Sequence, residues 1–329
     1  MWSAFARYGG LIAARVALPQ RPDSSTAFGI GLALMAFALF SSTDAMIKWL
    51  SAGYPVHQML FFNAAFALVP VALVTFHGGG LHLLRTERIG LHLLRGGFGL
   101  IAAFCAFTAF SLMPLADAYA IIFATPLLIT VLSVPLLGET VRWRRGLAVV
   151  VGFGGVLIML QPGNGSLDLA AGAAMMTAAA SALSVVVVRK LSATETTASI
   201  AFYTNVTALV PMAFLLPLGF VLPTLADLAM MALAGLTAGS AVMLLVAGYR
   251  RAPAAVVAPF QYSQMLWGVG LGLLLWGDMP ARSVAVGATI VVASGLYILY
   301  REVVLTQDRP VPAVADTTAT PGGPRAEPA

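Results

Sequence analysis

The sequence predicts an all-α integral membrane protein: ten transmembrane helices arranged as two inverted five-helix repeats. Three observations carry this. Apolar residues (A, V, I, L, M, F, W, Y, C) make up 60% of the 329 residues and charged ones only 9%, with a mean hydropathy of +0.91; soluble domains carry about 25% charge. The apolar residues fall in near-continuous runs that do not alternate, so a backbone without water must close its hydrogen bonds as helix. The chain also resembles itself at an offset of about 140 residues.

Crossing the hydrocarbon core takes about 20 residues of helix. In chain order the runs of suitable length are 28–47, 57–76, 96–113, 117–137, 146–161, 168–188, 198–220, 227–248, 254–276 and 283–300. Helix breakers stand between them: Gly53 and Pro55, Gly78-Gly79-Gly80, Pro114, Gly138, Pro162-Gly163, Pro223, Pro253 and Pro280. Such short connections make neighbouring spans antiparallel. With the N-terminus inside, 16 of the 18 Lys and Arg fall in inner segments, and only Lys48 and Arg282 fall outside. Positive residues resist translocation, so this bias fixes the orientation and supports the count of ten.

The repeat is specific at several positions. Ile47-Lys48-Trp49-Leu50-Ser51 aligns with Val188-Arg189-Lys190-Leu191-Ser192, and at the same offset Gly31 aligns with Gly172 and Pro70 with Pro211. Two residues closer, Gly96 aligns with Gly235, Pro114 with Pro253, and Gly138-Glu139 with Gly277-Asp278. Five spans is an odd number, so the second half crosses the bilayer upside down. An inverted repeat places a shared site near the midplane and lets the halves exchange conformations.

Several function classes are excluded or disfavoured. One cysteine, Cys105, allows neither a disulfide framework nor a thiolate zinc cluster. The four histidines show no ligand spacing on one spanning face, so no metal is expected, and no cofactor is implied. There is no glycine-rich phosphate loop with its lysine, which argues against ATP drive. The net charge of +5 lies in the inner loops, and no nucleic acid is expected as a partner.

The run Leu136-Leu137-Gly138-Glu139, with Arg142, Arg145 and Gly146 leading into Val151-Gly152-Phe153-Gly154-Gly155-Val156, resembles the EamA signature. Trp276-Gly277-Asp278 with Gly287 and Ser294-Gly295 is a weaker copy. Phe40 to Lys48, Arg95-Gly96 and Arg251-Ala252-Pro253-Ala254 also fit. The chain thus resembles the drug/metabolite transporter superfamily over roughly residues 28–300. That resemblance implies ten spans in a five-plus-five repeat, with a central cavity lined chiefly by spans one, three, four, six, eight and nine. The first half looks most like metabolite uptake carriers, including S-adenosylmethionine and riboflavin carriers. Span two often carries an arginine in the family where this chain has Asn63.

Polar groups within hydrocarbon are costly and call for a partner or a role. Asp44 lies within the first span, and Lys48 follows four residues later on the same face, where it could pair with it. Asp117 and Tyr119 open the fourth span; Asp117 also suits a helix start. Asp44 and Asp117 are the candidate coupling acids. Thr125-Pro126 sits mid-span, and the proline leaves the carbonyl of Ile122 without its usual donor. The ninth span is the most polar, with Gln261, Tyr262, Gln264 and Trp267 within two turns. These four, with Thr125, Tyr119, Asn63 and Tyr203, are the candidate substrate-binding residues. Glu139 and Asp278 are expected to anchor loops by pairing with nearby arginines.

The expected organisation is a cytoplasmic extension (1–27), a first repeat (28–161), a second repeat (162–300) and a disordered cytoplasmic tail (301–329). The expected function is secondary transport of a small organic metabolite across a bacterial inner membrane, with a small-molecule solute and membrane lipid as partners. A homodimer is compatible with this layout. The alternatives are a non-transporting assembly protein and a lipid-modifying enzyme. The latter would need an acid, histidine or metal cluster at one membrane face, and the sequence offers none.

Overall fold

A computed structural model describes residues 24–78, 80–138, 143–160, 169–191, 195–252 and 254–307. The extension before residue 24, Glu139 and the tail after 307 lie outside the described residues. All regular structure among the described residues is helical: α1 (Ser24–Leu50), α2 (Val56–Gly78), α3 (Ile89–Leu112), α4 (Leu115–Ile122), α5 (Thr125–Leu137), α6 (Trp143–Leu160), α7 (Leu169–Leu191), α8 (Thr197–Leu215), α9 (Leu225–Tyr249), α10 (Ala254–Val257), α11 (Ser263–Trp276) and α12 (Arg282–Gln307). Short 3-10 turns lie at Leu81–Leu84, Leu216–Leu218 and Ala258–Tyr262.

Seven helical stretches are long and apolar enough to cross a membrane, one of them made of α4 and α5 together, and Gly146–Leu160 and Arg282–Ile298 are shorter apolar helices. Large apolar side chains point outward, among them Phe214 at 79% exposure and Leu225 at 85%. Lipid accepts such a surface and water does not. The chain is a multi-pass membrane protein.

The expected fourth and ninth runs are not single helices. α4 stops at Ile122 and α5 begins at Thr125, because Pro126 has no N–H to give back to Ile122. The Thr125 hydroxyl donates to that carbonyl at 2.6 Å. It is therefore not left exposed, contrary to the expectation from proline alone. The ninth run breaks into α10, a 3-10 turn holding Pro259, and α11. α5 and α11 end alike, on left-handed glycines: Gly138 at φ 69° and Gly277 at φ 71°. At the far end α12 runs as helix to Gln307, beyond the expected end of the tenth run.

The helices pack in recurring pairs. α1 lies along α9 and α3 along α7; α2 contacts α8 and α9, while α8 also contacts α3; α6 lies along α12; α1 meets α11 and α5 meets α7. Without a hydrophobic drive between helices in lipid, close approach depends on small residues. Gly96 of α3 sits against Thr207 of α8, and Gly235 of α9 sits against Asn63 and Phe66 of α2. A Cβ on Gly235 would lie 2.5 Å from the Phe66 Cβ and 2.8 Å from the Asn63 carbonyl oxygen, atoms that cannot swing aside. Gly235→Ala is therefore expected to cost roughly 1–3 kcal/mol, read as a lower melting temperature of the solubilised chain. Gly172→Ala, whose Cβ would meet nothing within 4 Å, is the control and should melt with wild type.

Irregular segments are tied down by side chains. Buried Gln58 donates to the Val221 carbonyl at 2.7 Å and accepts from the Val221 amide at 2.9 Å. At another junction, Glu195 accepts from the Thr86 hydroxyl at 2.8 Å and from the Ser199 hydroxyl at 3.3 Å. The His92 Nε2 lies 3.2 Å from it, at ion-pair distance but off the line a hydrogen bond needs. Burial pushes the Glu195 carboxyl up, yet Thr86, His92 and Ser199 together hold it below its ordinary value of 4.5. A carboxyl depressed on folding contributes stability above its unfolded value and loses it as pH falls through the folded one. Melting temperatures of wild type and Glu195→Gln should thus differ at pH 6 and converge as pH drops below about 4.5.

Candidate functional site

α1 carries Ser41, Asp44 and Lys48 at helical spacing on the face toward α3, α4 and α11. The Asp44 carboxylate accepts a 2.6 Å hydrogen bond from the Tyr119 hydroxyl of α4. Asp44 keeps part of its surface accessible, while Tyr119 is only 3% exposed. The Tyr119 ring meets Phe110 edge-on with centroids 5.7 Å apart and lies nearly parallel to Phe123 at 6.2 Å. Phe123 in turn meets Tyr262 edge-on at 5.2 Å. Four rings thus run from α3 through the α4–α5 break to the 3-10 turn before α11.

Glycines make room for two of these rings. A Cβ on Gly268 of α11 would come within 2.5 Å of the Tyr119 ring. One on Gly295 of α12 would overlap the Tyr262 hydroxyl. The Tyr262 hydroxyl and the Ser263 hydroxyl are buried with no hydrogen-bond partner. In an apolar interior each such group costs free energy until something fills it.

Toward the ends of α1 and α11, a second cluster forms. Lys48 does not pair with Asp44, as its spacing allows. Its ammonium donates to the Met113 carbonyl at 2.8 Å and to Asp278 at 3.2 Å. It also stands 5.1 Å over the Trp276 ring, which meets Trp49 at 6.3 Å. The long lysine stem reaches across to α11, where a carboxylate and a ring face both attract it. Asp278 accordingly binds a lysine of α1 and not a nearby arginine. Asp117, in the first turn of α4, lies close enough to feel both Lys48 and Asp278.

The remaining candidates are placed as follows. Tyr262 joins the aromatic run, and Gln261 and Gln264 flank it half-buried. Thr125 spends its hydroxyl on the helix break. Trp267 is 45% exposed and takes no part in the run. Asn63 packs where α2 meets α9, and the Tyr203 ring lies tilted at 41° against His92, centroids 4.7 Å apart. Sequence reasoning missed Phe110, Phe123, Gly268 and Gly295 as parts of the central site, and His92 with Glu195 as a buried pair. Apolar and small residues in a span carry no local signal of role, although Gly295 stands in the motif that carries the family resemblance. No group of three potential metal ligands forms among the described residues.

Residues 27–161 match the EamA-like transporter family. The chain is 26% identical to an S-adenosylmethionine uptake transporter of Rickettsia bellii, covering 83% of this chain and 94% of that protein. It is 29% identical to a pseudopaline exporter of Pseudomonas aeruginosa (80% and 94% covered) and 27% identical to a riboflavin transporter of Rhizobium johnstonii (88% and 96% covered). One solved crystal structure shares the fold, with a TM-score of 0.60 at 19% identity, over 86% of this chain and 99% of that one. Residues 27–161 thus resemble the EamA-like transporter family, and relatives of similar length are named as transporters.

Proposed function

We propose that the protein is a secondary carrier of a small organic metabolite that works by alternating access between two inverted five-helix repeats, residues 28–161 and 162–300. In this reading the ten spans lie in a bacterial inner membrane with both termini in the cytoplasm. The observation that carries it is a packing symmetry with a one-sided break. The Thr43 hydroxyl of α1 reaches the Ala234 carbonyl of α9 at 3.3 Å. Ser184 of α7 and Arg95 of α3 are their repeat equivalents, and the Ser184 hydroxyl reaches the Arg95 carbonyl at 3.5 Å. Gly96 on α8 and Gly235 on α2 are likewise equivalent contacts. Phe123 and Tyr262 occupy equivalent positions and touch each other, as residues on a two-fold axis must.

The break lies around Lys48. There α1 packs on α3 and α4 packs on α11, whereas their counterparts, α7 with α9 and α5 with α10, make no comparable contact among the described residues. One end is sealed and the other parted, the arrangement that a carrier exchanges during its cycle. The positive-residue bias assigns the sealed end to the outside. Asp44 and Asp117 are the proposed coupling acids, and the run from Tyr119 to Tyr262, with Gln261 and Gln264, is the proposed solute-binding wall.

The similar proteins handle S-adenosylmethionine, pseudopaline and riboflavin, and we place this carrier's solute in that class, S-adenosylmethionine-, riboflavin- or amino-acid-like. The test is counterflow by the purified chain in liposomes loaded with S-adenosylmethionine, riboflavin or an aromatic amino acid. Saturable accumulation of at least one is expected. Flux equal to that of empty liposomes for every solute, from protein shown to be folded, would overturn the reading.

A further inference from the structure

Resting on the carrier reading above, we infer that the transported solute presents an organic cation, a sulfonium, quaternary ammonium or protonated amine, to Asp44 and the rings beside it. The argument begins with the company Asp44 keeps. Its one hydrogen bond comes from the neutral Tyr119 hydroxyl, and among the described residues no lysine, arginine or histidine forms an ion pair with it. Lys48, a turn further on, is held by Asp278 and the Met113 carbonyl. A carboxylate has room for about four donors, and without a counter-charge it is costly within a membrane bundle. A proton offsets it in one way and a cation brought by the solute in another.

The surroundings select between them. The faces of aromatic rings carry negative charge density and attract cations. Tyr119 bonds Asp44 and Phe123 lies against Tyr119, both buried (3% and 2% exposed), while Asp44 and Tyr262 keep accessible surface. A carboxylate beside aromatic rings favours a positive centre with apolar substituents. It rejects an anion, which would face Asp44 while the nearest cation is already committed. A neutral solute would leave the carboxylate to be offset by a proton alone.

The experiment compares charged solutes with neutral twins of the same shape, using the full-length chain. The pairs are choline with 3,3-dimethyl-1-butanol, and benzyltrimethylammonium with neopentylbenzene. Binding is read as thermal stabilisation in detergent, and exchange is read in liposomes. At least one cation is expected to bind about 10-fold or more tightly than its twin, a preference of ~1.4 kcal/mol. Asp44→Asn is expected to bring that ratio to about one, while Asp44→Glu, which keeps the charge, retains a preference. Equal binding within both pairs, or a preference that survives in folded Asp44→Asn, would overturn the inference. Saturable transport of riboflavin without any preference for cations would sink it and leave the carrier reading standing. Absence of flux for every solute would remove both.

Discussion

Replacing Asp44 with asparagine is expected to lower transport by about 10- to 100-fold, the loss that follows from removing one charge-assisted hydrogen bond of ~1.5–3 kcal/mol. Asparagine keeps the shape of the side chain and can still accept from Tyr119, which lies 2.6 Å away. What it removes is the charge. That separates function from folding, because a buried carboxylate without a cationic partner is a burden on the native state. The variant should therefore insert normally and melt at or above the wild-type temperature while its initial transport rate collapses. Tyr119→Phe, which removes the donor but not the ring, should show a smaller loss. Wild-type rates in Asp44→Asn would dissociate this carboxylate from the solute path.

Reversing the charge of Asp278 is expected to open the sealed end. In Asp278→Lys two ammonium groups face each other where Lys48 and Asp278 now stand 3.2 Å apart. The Lys48 side chain is 13% exposed and that of Asp278 29%, so solvent screens the pair only in part. A shift of ~1.4 kcal/mol toward the opened form multiplies its population about tenfold. The reporter is Ser41→Cys in a Cys105→Ala background, because Ser41 is fully buried next to Asp44. An impermeant maleimide added from the outside should label it about tenfold faster in Asp278→Lys, and the swap Lys48→Asp with Asp278→Lys should slow it again. Labelling that ignores the charge reversal would show that the pair does not hold this end shut.

The fold was legible where the physics is local. Hydrocarbon thickness and composition set where the apolar runs lie, and seven of the ten expected runs recur as helical stretches fit to cross a membrane. Glycine pairs were legible through the repeat, which matched Gly96 to Gly235 before either had a neighbour. What depended on partners distant in sequence was not. Spacing alone offered Lys48 to Asp44, but its actual acceptor lies 230 residues away. Thr125 is a substrate-binding candidate beside a proline, and a short local bond to the Ile122 carbonyl claims its hydroxyl. The His92–Glu195 pair joins two segments with no sequence likeness. For the central site, the polar members Asp44, Tyr119 and Tyr262 stood out because polarity is conspicuous in lipid. Phe110 and Phe123 did not, since an aromatic ring there looks like any other apolar residue.

The short bond from Thr125 to the Ile122 carbonyl has a mechanical consequence. A bend in a lipid-embedded helix ordinarily strips a peptide oxygen of its donor, and the cost stiffens the joint. Here the threonine, on the far side of the joint from Ile122, keeps that oxygen occupied in the bend, with Phe123 between the two helices. The bond spans α4 and α5 and so latches the joint at this angle.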